Sequence, residues 1–395
     1  MTNLPFADKL AQLEPSLIRS IFDAAPRGAI NMGIGMPDLP VPNAVVEAVK
    51  QELLAKRAPY SPNAGWQELR EKVAEMYQRW ARRGPDIGDW IEADGVVLTA
   101  GTQEALFVAL ASLATAGDDI LVPDPGYPGY AMIARTLGAN PVPYRMGAES
   151  EFRPTVKAIA AAMTDRTVAV VLNSPSNPTG TMADVYELRS ICDFLRGLKV
   201  PWISDEVYDR YTYNEIFASP SAFSDFGIVV GGLSKSVNMM GWRLGWLCVH
   251  PDNGAVLTRV HQAVTTCAST LSQAAAHAAL DGLIGRGEAS GEINDNIAKF
   301  WDRRDRVVRA LERLDLKHAP ADGAMYVFVE VASVLRKNGL DPNELTLVHD
   351  LMDEQGVVVI PGRAFGAGGV GWIRLAYTCD RIDEGLRRLA KGLGF

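Results

Sequence analysis

The chain has 395 residues, of which 48% are hydrophobic and 22% charged, a balance typical of a globular protein with a large core. Its net charge of −8, from 39 basic and 47 acidic residues, disfavours a general nucleic-acid-binding protein. Its four cysteines and five histidines show no spacing typical of a metal site or a disulfide framework, so we expect neither. Residues 1–15 lack a continuous apolar stretch and no run is long enough to span a membrane, so we expect a cytoplasmic protein without membrane partners.

The first part of the chain predicts a small segment followed by a large α/β domain. Residues 1–47 combine a short helix with a Gly/Pro-rich stretch, and we expect them to contribute to a smaller domain. Residues 48–287 alternate short Val/Ile/Leu-rich runs with helical patterns such as 102–116 and 183–196. Strands are predicted at 96–99, 120–123, 141–144, 168–173, 201–204, 228–231 and 244–249. This alternation predicts a mostly parallel seven-stranded sheet sandwiched by helices.

Residues 288–395 predict a smaller α+β domain. A long helix is expected at 292–314, and shorter helices at 343–354 and 381–389. Strands are expected at 325–329, 357–360 and 373–376. The fold class is therefore α/β, with a large domain and a smaller α+β domain that the N-terminal segment joins.

Residues 231–246, with the sequence GGLSKSVNMMGWRLGW, place a lysine in apolar surroundings. Lys235 follows Ser234, and Arg243 comes eight residues later. A buried lysine amine can form a Schiff base with an aldehyde cofactor, while an arginine and a serine hydroxyl can hold the phosphate of that cofactor. Because most lysines are solvated surface charges, this interpretation depends on matching residues elsewhere.

A second segment could hold the same phosphate. Gly101, Thr102 and Gln103 stand where a predicted strand runs into a predicted helix. The free N–H groups of a helix start form an anion site, and the threonine hydroxyl adds a donor. The Gly-Thr pair is also a good helix start for purely structural reasons.

Three further segments offer groups suited to an aromatic ring. Asp205 ends a predicted buried strand, where its carboxylate could pair with a pyridinium nitrogen. Tyr208 and Asn177 could each donate to a phenolate oxygen of the ring. Tyr127, on a loop rich in glycine and proline, could stack on the ring. Taken singly, a helix cap, a turn or ordinary packing accounts for each of these residues.

Together and in this order, these motifs resemble the class I/II aminotransferases of fold type I, the aspartate aminotransferase superfamily, which use pyridoxal 5′-phosphate (PLP). The resemblance extends from about Gly33 to Arg374. It implies that Lys235 holds PLP as a Schiff base and moves a proton between the substrate α-carbon and the cofactor. It also implies transfer of an amino group between an L-amino acid and a 2-oxo acid through a pyridoxamine form.

The resemblance assigns roles by position. Cofactor binding falls to Gly101, Thr102, Gln103, Tyr127, Asn177, Asp205, Tyr208, Ser234, Lys235, Arg243 and Tyr60, and substrate binding to Gly35, Asn177 and Arg374. Lys235, Asp205 and Tyr208 are the expected catalytic residues. Arg374 would clamp the α-carboxylate of the substrate, and Tyr60 would reach the phosphate of a neighbouring subunit. A homodimer with shared active sites is therefore expected.

Two alternative functions use the same fold. A PLP-dependent lyase, which eliminates at the β or γ carbon or cleaves a C–S bond, carries the same motifs. A PLP-sensing regulator would add a DNA-binding domain, but the residues before the first large-domain strand show no helix-turn-helix, and the net charge is acidic.

The sequence also favours a neutral or aliphatic substrate. Residues 102–104 read Thr-Gln-Glu, without the cation that some relatives place at this helix start for a second carboxylate. The side-chain pocket is expected to draw on Ile18 or Ile21, Met36, Tyr60 and Phe365, which are mainly apolar. Arg363 is interpreted as a solvated loop residue rather than a substrate cation.

Overall fold

The computed structural model describes residues 13, 15–56, 59–81, 90–213 and 216–395. In chain order the helices are α1 (Leu17–Ala24), α2 (Asn43–Leu54), α3 (Gln67–Ala81), α4 (Thr102–Leu113), α5 (Gly129–Leu137), α6 (Val156–Ala162), α7 (Val185–Leu198), α8 (Leu233–Ser236), α9 (Pro251–Thr265), α10 (Thr270–Leu283), α11 (Ala289–Arg313), α12 (Ala332–Lys337), α13 (Glu344–Gln355) and α14 (Ile382–Gly392). The strands are β1 (Ile30–Asn31), β2 (Val96–Thr99), β3 (Asp119–Asp124), β4 (Asn140–Arg145), β5 (Thr167–Asn173), β6 (Trp202–Asp205), β7 (Gly227–Gly232), β8 (Gly245–Cys248), β9 (Tyr326–Glu330), β10 (Val357–Val358), β11 (Ile360–Pro361) and β12 (Trp372–Ala376).

The large sheet is mostly parallel, as predicted. Its strand order is β2-β8-β7-β6-β5-β3-β4, and each strand lies within one residue of its predicted bounds. Strand β8 runs antiparallel to both of its neighbours, while the other pairs are parallel. The carboxyl ends of β5, β6 and β7 therefore meet at one edge, the usual position of ligand contacts in such sheets.

Alternation along the strands explains why helices cover both faces of this sheet. Val96 and Leu98 pack in a core with α3, α7 and α10, whereas Val97 between them packs in a second core with α4, α5 and α9. Successive side chains of a strand point to opposite faces, so a strand apolar at every position must be buried on both. The two cores fix the sheet between two helical layers.

A third core lies around the smaller sheet, whose order is β11-β12-β9. It joins residues of α11, α13 and α14 to Ile21, Ile30 and Met32 from the N-terminal segment. Helix α11 contributes Ile293 to a large-sheet core and Phe300 to the third core, so it packs against both. The domain boundaries at 47/48 and 287/288 stay a prediction. Within the described residues, every helix is too short or too polar to cross a membrane.

The predicted strand 357–360 is wrong as a single strand. Val357 and Val358 pair in parallel with β1, whereas Ile360 and Pro361 pair antiparallel with β12. All of these residues are apolar and buried, so their pattern could not show that two partners share the run. Helix α4 also ends at Leu113, three residues before its predicted end, because Ala114 adopts an extended conformation.

Candidate active site

A cavity of about 280 Å³ lies at the carboxyl ends of β5, β6 and β7. It draws on the N-terminal segment, the large sheet and the smaller sheet. Its lining residues are Ile18, Ile34, Gly35, Thr102, Gln103, Leu106, Tyr127, Tyr130, Asn173, Asn177, Asp205, Val207, Tyr208, Ser234, Lys235, Met240, Arg243, Tyr326 and Arg374. Segments separated by more than 300 residues therefore meet in one site.

Lys235 reaches this cavity from α8, which directly follows β7. The residue before α8 is Gly232, where a Cβ atom would lie 2.7 Å from the Thr102 hydroxyl, so glycine permits the close approach of the two helix starts. The Lys235 Nζ donates to the carbonyl oxygen of Gly35 at 2.5 Å. The lysine amine thus lies against the N-terminal segment, inside the cavity.

The environment of Lys235 favours its neutral amine. Burial is the main cause that lowers its pKa from the ordinary lysine value, and the positive charges of Arg374 and Arg243 lower it further, against an opposing effect of Tyr326. A neutral amine is the form that can attack a carbonyl carbon or accept a proton. This is the chemistry expected of Lys235.

Asp205 lies at the end of β6 as a buried carboxylate with neutral donors. Its Oδ2 accepts from the Tyr130 hydroxyl at 2.7 Å, and its Oδ1 accepts from the Val207 N–H at 3.3 Å. Burial raises its pKa to about 6, although both hydrogen bonds act in the opposite direction. A buried carboxylate is stabilised by a cation, so a protonated ring nitrogen would suit this position.

Tyr208 forms a hydroxyl pair with Tyr326, at 2.8 Å between their oxygens. The two rings pack edge to face, 5.6 Å apart. A Cβ atom on Gly35 would lie 1.8 Å from the Tyr326 hydroxyl oxygen, so this position accepts only glycine. Tyr326 therefore brings the smaller sheet into contact with both Tyr208 and the N-terminal segment.

Arg374 is a buried cation whose partners are neutral. Its Nη1 donates to Asn177 Oδ1 at 2.6 Å, and its Nη2 donates to the Gly33 carbonyl at 2.5 Å. The guanidinium carbon lies 4.3 Å from the centre of the Tyr326 ring and 4.7 Å from that of Phe365. Burial lowers its pKa from the ordinary arginine value. Because its Nε has no partner among the described residues, the guanidinium is suited to an anionic ligand.

The start of α4 has the geometry that an anion site requires, and phosphate binding there stays a prediction. Gly101 has a φ of +84°, and a Cβ atom there would lie 2.3 Å from Arg243 Nη2, so the guanidinium packs directly against this turn. Thr102 and Gln103 follow as the first helical residues, whose N–H groups have no acceptor within the helix. Ser234 lines the cavity nearby. A phosphate at this point would meet N–H donors, hydroxyls and a guanidinium.

Of the two remaining predicted cofactor residues, Tyr127 lies in the cavity and Tyr60 lies on the surface. Tyr127 lines the cavity, donates its hydroxyl to Gln103 Oε1 at 3.0 Å and packs edge to face on Tyr130. Tyr60 is 86% exposed and does not line the cavity of its own chain. Its assignment to a neighbouring subunit stays a prediction.

The side-chain pocket differs from the sequence prediction. Ile18 lines the cavity, but Ile21 is buried in the third core. Met36 is 49% exposed and does not line the cavity. Phe365 is buried outside the cavity lining, with its ring 4.7 Å from the guanidinium carbon of Arg374. The α1 pattern could not decide between Ile18 and Ile21, since both lie on the apolar side of this short helix.

Arg363 does not line the cavity, in agreement with its interpretation as a residue other than a substrate cation, but it is half-buried and ion-paired rather than solvated. Its Nε donates to Glu344 Oε1 at 2.7 Å, and its Nη2 donates to Asn343 Oδ1 at 2.7 Å. Glu344 is 1% exposed, so its carboxylate requires this cation. Arg363 therefore holds the start of α13 and is not available to a substrate.

Two tyrosines of the site were not predicted from the sequence. Tyr130 follows Tyr127 by three residues, the spacing that places both on one side of a helical turn, and this spacing could have indicated it. Tyr326 is the second residue of the predicted strand 325–329, and no local pattern indicates its contact with Tyr208. The described residues contain no group of three or more metal-binding side chains.

A buried lysine, a helix start suited to a phosphate and a buried aspartate with neutral donors, all at the carboxyl edge of this sheet, form the arrangement expected of a PLP-dependent enzyme of fold type I. The family described as aminotransferase class I and II matches residues 27–393. A probable N-acetyl-LL-diaminopimelate aminotransferase of Bacillus subtilis is 34% identical over 96% of this chain and 94% of the relative. A probable aspartate aminotransferase of Methanocaldococcus jannaschii is 31% identical over 95% of this chain and 96% of the relative.

The solved structures agree with this relationship. The crystal structure of an aminotransferase from Mycobacterium tuberculosis matches with a TM-score of 0.89 at 30% identity, over 99% of each chain. The chain belongs to the class I and II aminotransferase family. It is a PLP-dependent aminotransferase, and its substrates are amino acids and 2-oxo acids.

Proposed function

We propose that this aminotransferase acts on a neutral, mainly aliphatic L-amino acid and the matching 2-oxo acid. The observation that carries the proposal is the charge of the cavity lining, whose cations among the described residues are Lys235, Arg243 and Arg374. Each of them has a role toward the cofactor or the α-carboxylate, which leaves no cation for a second carboxylate. The apolar lining is formed by Ile18, Ile34, Leu106, Val207 and Met240. Such a surface gains free energy from an aliphatic side chain.

The residues of the cavity fit PLP. The turn before α4, with Thr102, Ser234 and Arg243, would hold the phosphate. Asp205, whose buried carboxylate has neutral donors, would pair with the ring nitrogen. Bound PLP supplies an electron-withdrawing ring that makes the α-proton of an attached amino acid removable.

Lys235 would move the proton of the reaction at its Nζ. Its pKa is lowered chiefly by burial, so the amine is available as a base. Since this amine lies in the same cavity as Arg374, it would be within reach of the α-carbon of a substrate bound there and could take its proton.

Tyr208 would donate to the phenolic oxygen of the cofactor, and Tyr326 would set the direction of that hydrogen bond. A hydroxyl has one proton, so Tyr208 can donate into the cavity only if it accepts from Tyr326. The hydroxyl pair at 2.8 Å thereby orients the Tyr208 proton. We assign Tyr326 as a positioning residue on this basis.

Arg374 would bind the α-carboxylate and so fix the substrate relative to Lys235. Its hydrogen bonds to Asn177 and Gly33 and its two stacked rings hold the guanidinium plane in place. A planar fork held in this way binds a carboxylate with two parallel hydrogen bonds.

We also propose a cytoplasmic homodimer with shared active sites. Leu53, Leu54 and Tyr60 expose 57%, 71% and 86% of their surfaces within a short stretch of chain, which supports a contact with a second copy. The four cysteines of the chain are free, which suits a reducing compartment.

Mixing Lys235→Ala and Tyr60→Ala variants tests the shared site, because a hybrid dimer would regain one intact site and activity. Absence of regained activity after verified subunit exchange would contradict it.

The substrate proposal is tested by half-reactions of the PLP-loaded enzyme with single amino acids. Alanine, valine and methionine are expected to bleach the absorbance band of the bound cofactor, and a 2-oxo acid is expected to restore it. The kcat/KM for these donors should exceed that for aspartate and glutamate at least about tenfold, the effect of one unpaired buried charge. A preference for aspartate would overturn the proposed substrate class. Release of ammonia without an acceptor would instead indicate a lyase.

A further inference from the structure

A buried carboxylate–imidazole pair lies next to the proposed phosphate turn, residues Ala100–Gln103, and outside the cavity. His261 on α9 is 0% exposed, and its Nδ1 lies 2.8 Å from Glu104 Oε1 on α4. The other carboxylate oxygen, Glu104 Oε2, accepts the backbone N–H of Ala100. The pair thus links α9 to the residue just before Gly101.

Within the described residues, the imidazole of His261 makes one polar contact, the one to Glu104. The His261 Nε2 is buried without a partner among the described residues, so the polar contact of the imidazole is the one to Glu104. Because an ionised carboxylate only accepts, the His261 Nδ1 donates to it. Burying an imidazole for a single contact costs free energy, which indicates a role for that contact.

The position of Glu104 would otherwise be unfavourable for a phosphate site. A carboxylate in the first turn of a helix competes with an anion for the same N–H groups and positive end of the helix. Thr102, Gln103 and Leu106 line the cavity, but Glu104 does not. Its two oxygens are instead occupied by His261 and Ala100. The negative charge is thereby held away from the anion site and used to fix its backbone.

The contact with Ala100 acts on the residues that bind phosphate. Ala100 precedes Gly101, whose φ of +84° turns the chain so that the N–H groups of Thr102 and Gln103 are free for a ligand. Fixing the Ala100 N–H therefore fixes the geometry of this turn. His261 anchors the carboxylate to α9, whose Leu257 packs in the same core as α4.

We propose that Glu104 and His261 are positioning residues for the cofactor phosphate, with Glu104 holding the Ala100–Gln103 turn in its binding geometry and His261 holding Glu104. This inference rests on the proposed phosphate site and adds to it two residues that do not touch the cavity. It concerns the phosphate alone and not the pyridine ring of the cofactor.

The test compares PLP with pyridoxal, which lacks the phosphate. Dissociation constants of both are measured by absorbance titration of the full-length apoenzyme for wild type, Glu104→Ala and His261→Leu. Both variants are expected to weaken PLP binding about tenfold or more, the effect of one lost hydrogen bond to a charged group. Pyridoxal binding should change less than about twofold. Equal weakening of both ligands, or unchanged PLP binding, would overturn the inference.

Two control variants separate positioning from folding. Leu257→Ala removes apolar packing from the same helix, one turn before His261, and should lower the melting temperature without changing the ratio of PLP to pyridoxal affinity. Glu104→Gln keeps an acceptor for Ala100 and should restore most of the PLP affinity lost in Glu104→Ala. A changed ratio in Leu257→Ala, or no rescue by glutamine, would contradict the role. A wild type without preference for PLP would instead disprove the phosphate site, whatever its donor specificity.

Discussion

Replacement of Arg374 by lysine should weaken recognition of the substrate carboxylate while it preserves the positive charge. The lysine ammonium has no planar fork and loses the stacks on Tyr326 and Phe365, at 4.3 and 4.7 Å. Loss of one of two parallel hydrogen bonds to a carboxylate costs about 1.5–3 kcal/mol. The KM for an aliphatic amino donor should therefore rise about 10- to 150-fold.

The assay is steady-state transamination by PLP-loaded protein, with KM and kcat measured separately. Arg363→Lys is the matched control, since Arg363 is bound to Glu344 and does not line the cavity. It should leave KM within about twofold, a difference below 0.5 kcal/mol. An unchanged KM in Arg374→Lys, or an equal rise in both variants, would refute the carboxylate role of Arg374.

Three further predictions concern other contacts of the site and its surroundings. Tyr326→Phe removes the donor to Tyr208, so the pH midpoint of the absorbance change of the bound cofactor should rise by about one unit, the worth of one hydrogen bond. In a protein that already carries Tyr208→Phe, Tyr326→Phe should not raise this midpoint further. Tyr130→Phe removes a donor to Asp205 and should weaken PLP binding about tenfold in equilibrium titrations, whereas unchanged affinity would show that this bond is dispensable. Burial raises the pKa of Glu206 to about 8, so the folded protein retains a proton that the unfolded chain loses near pH 4.5. The free energy of unfolding should therefore fall as pH rises from about 5 to about 8. Urea titrations at both pH values should show that Glu206→Gln reduces this fall, and an equal fall in the variant would contradict it.

The large sheet could be predicted closely because its strands, apart from the edge strand β4, are buried on both faces. A run such as 228–231 is apolar at every position and flanked by glycine, so its type and limits are both visible in the sequence. The turn before α4 and the Lys235 motif are also local, and the structure brings the side chains of Thr102 and Lys235 to one cavity. Local signals of this kind require no knowledge of which segments meet.

The contacts that could not be predicted join distant segments. Tyr326 and Tyr208 are 118 residues apart, and the Asn177 contact of Arg374 crosses 197 residues. The division of residues 357–360 between two sheets depends on β1, which lies near the other end of the chain. A hydrophobic pattern predicts that a residue is buried but not which residue it contacts. This limits prediction of the expected substrate residues more than of the expected cofactor residues.

The pairing of β1 with β10 also sets an order of events during synthesis. Ile30 leaves the ribosome early, yet its partner Val357 is made when more than nine-tenths of the chain exists, and Arg374 follows later still. The large sheet can assemble from residues 96–248 before that time, since its strands are already present. The cavity is therefore complete only after Arg374 has been made, and until Val357 is available the nascent β1 lacks its partner strand.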